Sequence, residues 1–302
     1  MALAKDPLWR RLAADVRHGR VPGYLRVRQE AYFLFASART LSRPSHRVRE
    51  SEIHVFVLWS NALTQEERIM RDISSEFVVR DVRRVSWPWP GFSWNLTRFY
   101  GGTLPPRAEK ERHCGTDPFL VVVVEDPEPT YAPRRTPKGV VNARTFDAKQ
   151  RHRSWTGGGH RIHASLDPIE AEHDLFLLLG RRTDDYRSPS AAWNGEIVAG
   201  PEGPVGARGW ESVAELRTAI EVATPYVLLA EGEKELEVLV EDLSRAALTA
   251  NIPAAEIGSA RYEILVAGRP FALVLRSAGD GTLEQSRLRS STVRRFFRDR
   301  TR

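Results

Sequence analysis

The segment F-L-V-V-V-V-E-D, from Phe119 to Asp126, is the most apolar run in the chain and predicts a strand buried on both faces. A second apolar run, I-H-V-F-V-L-W from Ile53 to Trp59, predicts another buried strand. A helix capped by Thr64 and a strand over Glu76 to Val85 are expected to follow it. Because strand, helix and strand at this spacing are typical of a right-handed βαβ unit, we expect an α/β fold with a mixed, largely parallel sheet.

Composition divides the 302-residue chain into several segments. Residues 181–209 lose all periodicity and are rich in proline, glycine and serine, which is typical of a linker. The segment after them alternates predicted helices and short strands, which favours a second, smaller α+β domain. The predicted segments are a basic helical extension (1–50), an α/β domain (51–180), a linker (181–209), a small domain (210–286) and a basic tail (287–302).

The net charge of +6 and the isoelectric point near 9.7 favour anionic partners, namely nucleotides, sugar phosphates, nucleic acid or anionic lipid. A proteome that is generally rich in arginine would give the same net charge without an anionic partner. Cys114 is the only cysteine, so no internal disulfide can form and a reducing, cytoplasmic location is expected. We expect neither a secretory signal nor a transmembrane segment, since no apolar run is long enough.

Candidate acids and bases crowd into the stretch from His113 to Gly180. Imidazole suits proton transfer near neutral pH, and a carboxylate can orient it. Acidic residues that follow a buried parallel strand lie at the carboxyl edge of the sheet, where open α/β sheets bind ligands. We therefore expect the acidic strand end and the glycine–histidine segment to form one site. The predicted catalytic residues are His113, Asp126, His163, Glu172 and Asp174.

Three consecutive glycines, Gly157, Gly158 and Gly159, precede His160 and Arg161. The backbone amides of such a loop can line a concavity for phosphate, with Lys149, Arg153 and Arg161 supplying positive charge. The segment matches neither the Walker pattern nor the dinucleotide-binding glycine pattern, so a flexible turn is the alternative. We predict that residues 149, 153 and 157–161 bind phosphate.

Five of the eight histidines lie between His113 and His173, which raises the question of zinc. No C-x-x-C or H-E-x-x-H spacing is present, so no zinc is expected. Mg²⁺ is the candidate cofactor instead. In the small domain Glu235 and Glu237 share one face of a predicted strand, as metal-holding carboxylates do in nucleotidyltransferases.

The central stretch resembles a family of largely uncharacterised bacterial proteins. The motifs that carry the resemblance are N-L-x-R-F-Y-G (Asn95–Gly101), H-C-G-T-x-P-F (His113–Phe119), V-E-D-x-x-P-x-Y (Val124–Tyr131), V-N-x-x-x-F-D-A-K (Val141–Lys149), R-x-W-T-G-G-G-H-x-I-H-A-[ST] (Arg153–Ser165) and E-x-x-H-D-L-x-L-L-L-G (Glu170–Gly180). The resemblance covers about residues 53–180. It implies that these segments form one conserved unit of that family, and it implies no specific reaction.

The same resemblance implies that the small domain is nucleotidyltransferase-like. Where the family pattern has D-I-D-h-L-V, this chain has Glu235–Val240. Where the family has D-I-R and G-D-G, it has Val274–Arg276 and Gly279–Gly281. Because two aspartates have become glutamates and a third is Val274, the resemblance implies a degenerate metal site.

A fainter likeness links G-G-H-R-I-H-A-S, from Gly158 to Ser165, to the phosphate-binding turn of the ParB/sulfiredoxin-like fold. We expect a phosphoryl- or nucleotidyl-transfer enzyme that acts on a nucleotide or phosphorylated sugar, in the setting of surface-polysaccharide synthesis. The alternatives are a nucleotide- or nucleic-acid-binding protein, with Trp87, Trp89 and Trp94 stacking on bases, and a scaffold subunit that binds a protein partner through the small domain.

Overall fold

The computed structural model describes residues 46–47, 50–87, 91–102, 104, 109–187 and 193–277. The predicted basic extension before residue 46, Trp89, the Gly279–Gly281 segment and the basic tail lie outside the described residues.

In chain order the strands are β1 (His46–Arg47), β2 (Glu52–Leu58), β3 (Val78–Ser86), β4 (Phe119–Asp126), β5 (Thr130–Pro133), β6 (Val140–Asn142), β7 (Ile162–Ala164), β8 (Val198–Glu202), β9 (Tyr226–Glu231), β10 (Glu235–Val240), β11 (Arg261–Val266) and β12 (Arg269–Ser277). The helices are α1 (Glu66–Glu76), α2 (Phe92–Tyr100), α3 (Glu109–Cys114), α4 (Ala143–Trp155), α5 (Pro168–Leu179), α6 (Val213–Ala223) and α7 (Leu243–Thr249).

The main sheet has five strands in the order β7-β2-β4-β3-β8, with the predicted apolar strand β4 at its centre. Strand β4 runs antiparallel to both β2 and β3, and β2 runs antiparallel to β7. Only the β3–β8 pair is parallel in this sheet. The prediction of a largely parallel sheet is therefore wrong, although the fold is mixed α/β as expected. Strands β2 and β3 do point the same way, but β4 inserts between them, and spacing along the chain cannot reveal such an insertion.

Side-chain alternation along β2 separates two apolar layers. Val55 and Val57 face a cluster that includes Leu175 of α5 and Phe99 of α2. Phe56 and its neighbours on the opposite face pack against α1 and α4. The sheet is thus covered by helices on both faces, which explains why β4 is apolar throughout.

Both ends of α5 are set by capping residues, whereas the start of α1 differs from the predicted cap. Asp167 accepts a hydrogen bond from the backbone N–H of Glu170 and caps the start of α5, with Pro168 in the first turn. Gly180 adopts a left-handed conformation, φ 64°, and ends the helix. Thr64 does not cap α1, because a 3₁₀ turn over Ser60–Gln65 precedes that helix.

The small sheet has the order β11-β12-β10-β9, and β10 is parallel to β12. The predicted strand that carries Glu235 and Glu237 is β10. Phe176 of α5 packs into the same apolar cluster as Trp210 and Leu216, so this sheet shares its core with a helix of the α/β part. Within the predicted linker, residues 198–202 form β8 at the edge of the main sheet. No helix in the described ranges is both long and apolar enough to cross a bilayer.

Candidate functional site

Strand β7 lies at one edge of the main sheet, and polar side chains from α2, α4 and α5 gather around it. We call this group the edge-strand cluster; its members are Tyr100, Lys149, Arg153, His163, Glu170 and Asp174. They come from four of the motifs quoted above, of which the one that carries Tyr100 is distant in sequence from the other three. The fold therefore brings separate motifs to one place.

The centre of the cluster is a buried histidine–aspartate pair. His163 Nε2 lies 2.7 Å from Asp174 Oδ2, and both residues are buried. Burial alone would raise the pKa of Asp174, but His163 and His173 together lower it to about 2. Because the Nε2 atom points at a carboxylate, Asp174 fixes the tautomer of the imidazole. The other ring nitrogen, Nδ1, makes no hydrogen bond to the residues described, and it is the nitrogen left to exchange a proton.

Aromatic rings hold the imidazole in place. The ring of His163 contacts Phe99 at a centroid distance of 5.0 Å and Tyr100 at 5.7 Å, both edge to face. The indole N–H of Trp59 donates a hydrogen bond to the phenol oxygen of Tyr100 at 3.3 Å. Burial raises the pKa of Tyr100, so its phenol stays protonated. This packing restricts the orientation of the base.

Glu170 lies one helical turn before Asp174, so both carboxylates face β7. Its Oε1 is 4.0 Å from His163 Nε2, while its Oε2 accepts hydrogen bonds from Lys138 Nζ at 2.7 Å and from the backbone of Leu166 at 2.9 Å. His163, Glu170 and Asp174 each offer one ligand atom, and these atoms lie within 4.8 Å of one another. Among the described residues, this is the group whose donors could hold a divalent cation.

Lys149 reaches this region from α4 and is 7% exposed. Its ammonium group donates one hydrogen bond, to the carbonyl oxygen of Ala164 at 3.4 Å. Burial lowers the pKa of Lys149 to about 7, although Glu170 and Asp174 oppose this decrease. An anion bound beside it would favour the charged form, so this lysine can respond to a phosphate.

The predicted phosphate loop adopts a conformation that requires glycine. Gly157, Gly158 and Gly159 have φ angles of 86°, 81° and 72°. A methyl group on Gly159 would approach the ring of His113 to 2.6 Å. The rings of His113 and His160 lie 5.6 Å apart, and burial, together with Lys110 and Arg153, lowers the pKa of His160 to about 4. His160 is therefore a neutral group at pH 7.

Two predicted phosphate ligands are anchored to the protein through part of their guanidinium groups. Arg153 Nε donates to the carbonyl oxygen of Ile162 at 2.9 Å, and Arg161 Nη1 donates to that of Gly158 at 3.1 Å. Both side chains are partly exposed. These contacts fix the guanidinium groups beside the glycine loop at the start of β7.

Asp126 does not belong to this site. Residues 157–161 lie beyond Leu58, which pairs with Leu120 at the start of β4, whereas Asp126 ends that strand. About six residues of strand separate the two ends, or roughly 20 Å. The expectation of one shared sheet edge is therefore wrong. Strands β4 and β7 both run antiparallel to β2, so the loop before β7 and the residue that ends β4 lie at opposite ends of the sheet.

Asp126 instead belongs to a buried structural network. It accepts a hydrogen bond from Asn142 Nδ2 at 2.9 Å, and Asn142 caps α4. His54 Nδ1 lies 3.2 Å from the hydroxyl of Ser165, and both residues are fully buried. This histidine–serine pair resembles part of a hydrolytic triad, but a buried hydroxyl that already accepts the N–H of Val55 cannot reach a substrate.

Glu172 points to the other side of α5. Its carboxylate is paired with Arg182 and accepts hydrogen bonds from the N–H and hydroxyl of Thr183 at 2.9 and 2.6 Å. These contacts tie the segment after α5 back onto the helix. The structure thus separates Glu172 from His163.

The two carboxylates of β10 that the sequence singles out are paired with arginines. Glu235 pairs with Arg261, and Glu237 pairs with Arg276. Val274 is directly opposite Glu237 on β12. Each of these two carboxylates is therefore engaged by a guanidinium group.

Cys114 and Trp87, two residues that the sequence singles out, are both buried. Cys114 is fully buried, and burial raises the pKa of its thiol to about 12, so it is not a ready nucleophile. Trp87 is 1% exposed and packs against Trp59 and Phe119, so it cannot stack on a base. Trp94 is partly buried, and its indole N–H donates to Asn251 Oδ1 at 2.7 Å.

Glu170 and Tyr100 were missed as site residues. Glu170 and Asp174 are four residues apart in one helix and therefore lie on the same face of it. This spacing could have identified Glu170 as a site residue. Tyr100 belongs to a helix that is more than 60 positions from His163, so only the tertiary structure reveals it.

No family model, curated protein or solved structure matches the chain.

Proposed function

We propose that the protein is a phosphoryl- or nucleotidyl-transfer enzyme that acts on a nucleotide or phosphorylated sugar at the edge-strand cluster. The observation that carries this proposal is the His163–Asp174 pair, 2.7 Å apart and buried, with a second imidazole nitrogen left without a partner in the described structure. A histidine oriented in this way serves as a general base.

In the proposed reaction His163 Nδ1 takes the proton of an acceptor hydroxyl. The oxygen of that hydroxyl attacks the phosphorus atom, and the bridging P–O bond breaks, so that the nucleotide or diphosphate leaves with the electron pair. Asp174 stabilises the imidazolium that forms. The proton returns to solvent when the product leaves.

The cations around β7 are the proposed phosphate ligands. Arg153 and Arg161 lie beside the glycine loop, and Lys149 is poised to gain charge when an anion binds. Mg²⁺ would enter with a triphosphate, and Glu170, whose carboxylate lies beside the His163–Asp174 pair, is the carboxylate proposed to meet it. In this proposal Glu235 and Glu237 have no catalytic part, and the small domain is a scaffold.

A thermal-shift panel tests the proposal. The protein is melted with nucleotides, nucleotide-sugars and sugar phosphates, each with and without Mg²⁺. We expect stabilisation of several degrees by at least one phosphorylated ligand, because a ligand that binds only the folded state raises the melting temperature.

His163→Gln and Asp174→Asn should then abolish turnover of that ligand. Arg161→Ala should abolish its binding and leave the melting temperature of the free protein near normal. If no phosphorylated small molecule shifts the transition and the protein instead shows salt-sensitive retention on nucleic acid, the transferase proposal is wrong and the binding-protein alternative holds.

A further inference from the structure

A cavity of about 440 Å³ opens on the side of α5 that carries Ile169 and Glu172. The last turn of α6 and the turn that leads into β9 form its other walls. Glu170 and Asp174 lie on the face of α5 that meets β7, so this cavity is separate from the edge-strand cluster. Nothing in the proposed reaction uses it.

The cavity has an excess of negative charge. Three carboxylates line it, from Glu172, Glu221 and Glu241, and the only cation among its lining residues is Arg182. Arg182 is shared, since it pairs with Glu172 and lies 3.6 Å from Glu221. The carboxylate of Glu241 has no ion-pair partner in the described ranges. An incoming cation would therefore meet at least one unpaired acid.

The same cavity has an apolar floor and rim. Pro168, Val222 and Pro225 line it together with Ile169, whose side chain is 73% exposed. A large aliphatic side chain this exposed beside a concave surface marks a place where another group can be buried. The chemistry of the cavity thus fits a segment that combines arginines with aromatic rings.

The end of the described structure lies close to this cavity. Ser277, the last residue of β12, is paired with Val240, and Val240 is paired with Tyr226. Glu241 and Pro225 are the next residues beyond this row and both line the cavity. Because neighbouring strands are about 4.8 Å apart, the chain leaves β12 within roughly 10 Å of the cavity.

We propose that the basic C-terminal segment, residues 287–302, binds in this cavity of its own chain. The segment carries seven arginines, and Phe296 and Phe297 are flanked by Arg295 and Arg298. The nine residues from 278 to 286 can span about 30 Å, which is more than the distance required. Aromatic rings would contact the apolar floor, and the flanking guanidinium groups would pair with Glu221 and Glu241.

Photocrosslinking in the full-length protein tests this proposal. Phe297 is replaced by benzoylphenylalanine, the protein is irradiated, and the crosslinked peptides are identified by mass spectrometry. We expect intramolecular crosslinks to the α5 start, the α6 end or the turn at Thr224. The double variant Glu221→Lys/Glu241→Lys should lower the crosslink yield by about tenfold, since each exposed charge reversal replaces an attraction with a repulsion.

The matched control is Glu211→Lys/Glu256→Lys, which makes the same charge change at two exposed residues away from the cavity. It should leave the yield unchanged. Crosslinks confined to another surface, crosslinks only between two copies of the chain, or no crosslink at all would each overturn the proposal. A yield that falls equally in both double variants would show a non-specific charge effect and would also overturn it. None of these outcomes depends on the reaction at His163.

Discussion

His163 on the edge strand and Asp174 on α5 meet through a 2.7 Å contact between Nε2 and Oδ2, with both side chains buried. The pair joins an element that follows the glycine loop to a helix that begins four residues after that strand ends. This contact sets the tautomer of the imidazole, and so it determines which nitrogen can exchange a proton.

Replacement of Asp174 by Asn should reduce turnover more than binding. The amide can keep the shape of the carboxylate but cannot stabilise an imidazolium, so we expect kcat to fall by about 10²–10⁴-fold with a small change in KM. Steady-state kinetics on the ligand found by thermal shift provide the measurement. A rise in KM with unchanged kcat would contradict a role in proton transfer.

Asp174 should also make stability depend on acid pH. Its pKa is lowered to about 2 in the folded protein, so its contribution is present above the ordinary value near 4 and is lost as the pH falls towards 2. A lowering of this size corresponds to about 2 kcal/mol. Urea unfolding of the wild type and Asp174→Asn between these two pH values should show their difference in free energy shrinking as the pH falls.

Lys149 should give a slope of the same sign in the neutral to alkaline range. Its pKa is lowered to about 7 by burial, so between pH 7 and its ordinary value near 10.5 the unfolded chain binds more protons than the folded one. The free energy of unfolding contributed by this residue therefore rises with pH across that window. Lys149→Met should abolish the rise and should exceed the wild type in stability at pH 7 by at least about 1 kcal/mol, because no ammonium group is then buried. Urea unfolding at pH 7 and pH 9.5 tests both statements, and a wild-type curve that is flat over this range would contradict them.

Alanine substitutions at Gly159 and Gly158 provide a matched comparison within the glycine loop. Both have positive φ, so alanine at either position costs about 1–2 kcal/mol in backbone strain. At Gly159 the added methyl group would also meet the ring of His113 at 2.6 Å, whereas at Gly158 nothing lies within 4 Å. Gly159→Ala should therefore lower both the melting temperature and the ligand affinity more than Gly158→Ala. Equal effects would mean that the contact with His113 is unimportant.

Cys114 should be inert in the folded protein. The thiol is fully buried and burial raises its pKa to about 12, so thiolate is scarce at pH 8. Ellman's reagent should react with it only after the addition of denaturant. Rapid labelling under native conditions would show that the thiol is accessible and would contradict its burial.

Several features of the fold could be predicted from local sequence because their causes are local. The apolar runs at Phe119 and Ile53 are strands because β-branched and apolar residues bury both faces of a sheet. Helix α5 begins at Asp167 and ends at Gly180 because the side chain of the first satisfies an N–H group and the second adopts a left-handed conformation. The candidate residues His163, Asp174 and Lys149 were also predicted, since titratable groups beside apolar segments are recognisable in sequence.

Strand direction and side-chain partners were decided only in three dimensions. The sequence could not show that β4 enters between β2 and β3 in the opposite direction. Nor could it show that β7 runs the same way as β4, which places the glycine loop before β7 and Asp126 at the end of β4 at opposite ends of the sheet. Nor could it show that Arg276 pairs with Glu237 or that Tyr100 packs on His163, because these contacts join residues dozens of positions apart. The sequence determined which segments are buried and where they begin and end, since burial and capping depend on neighbouring residues. The tertiary structure decided which charges meet, since that depends on how distant strands and helices pack together.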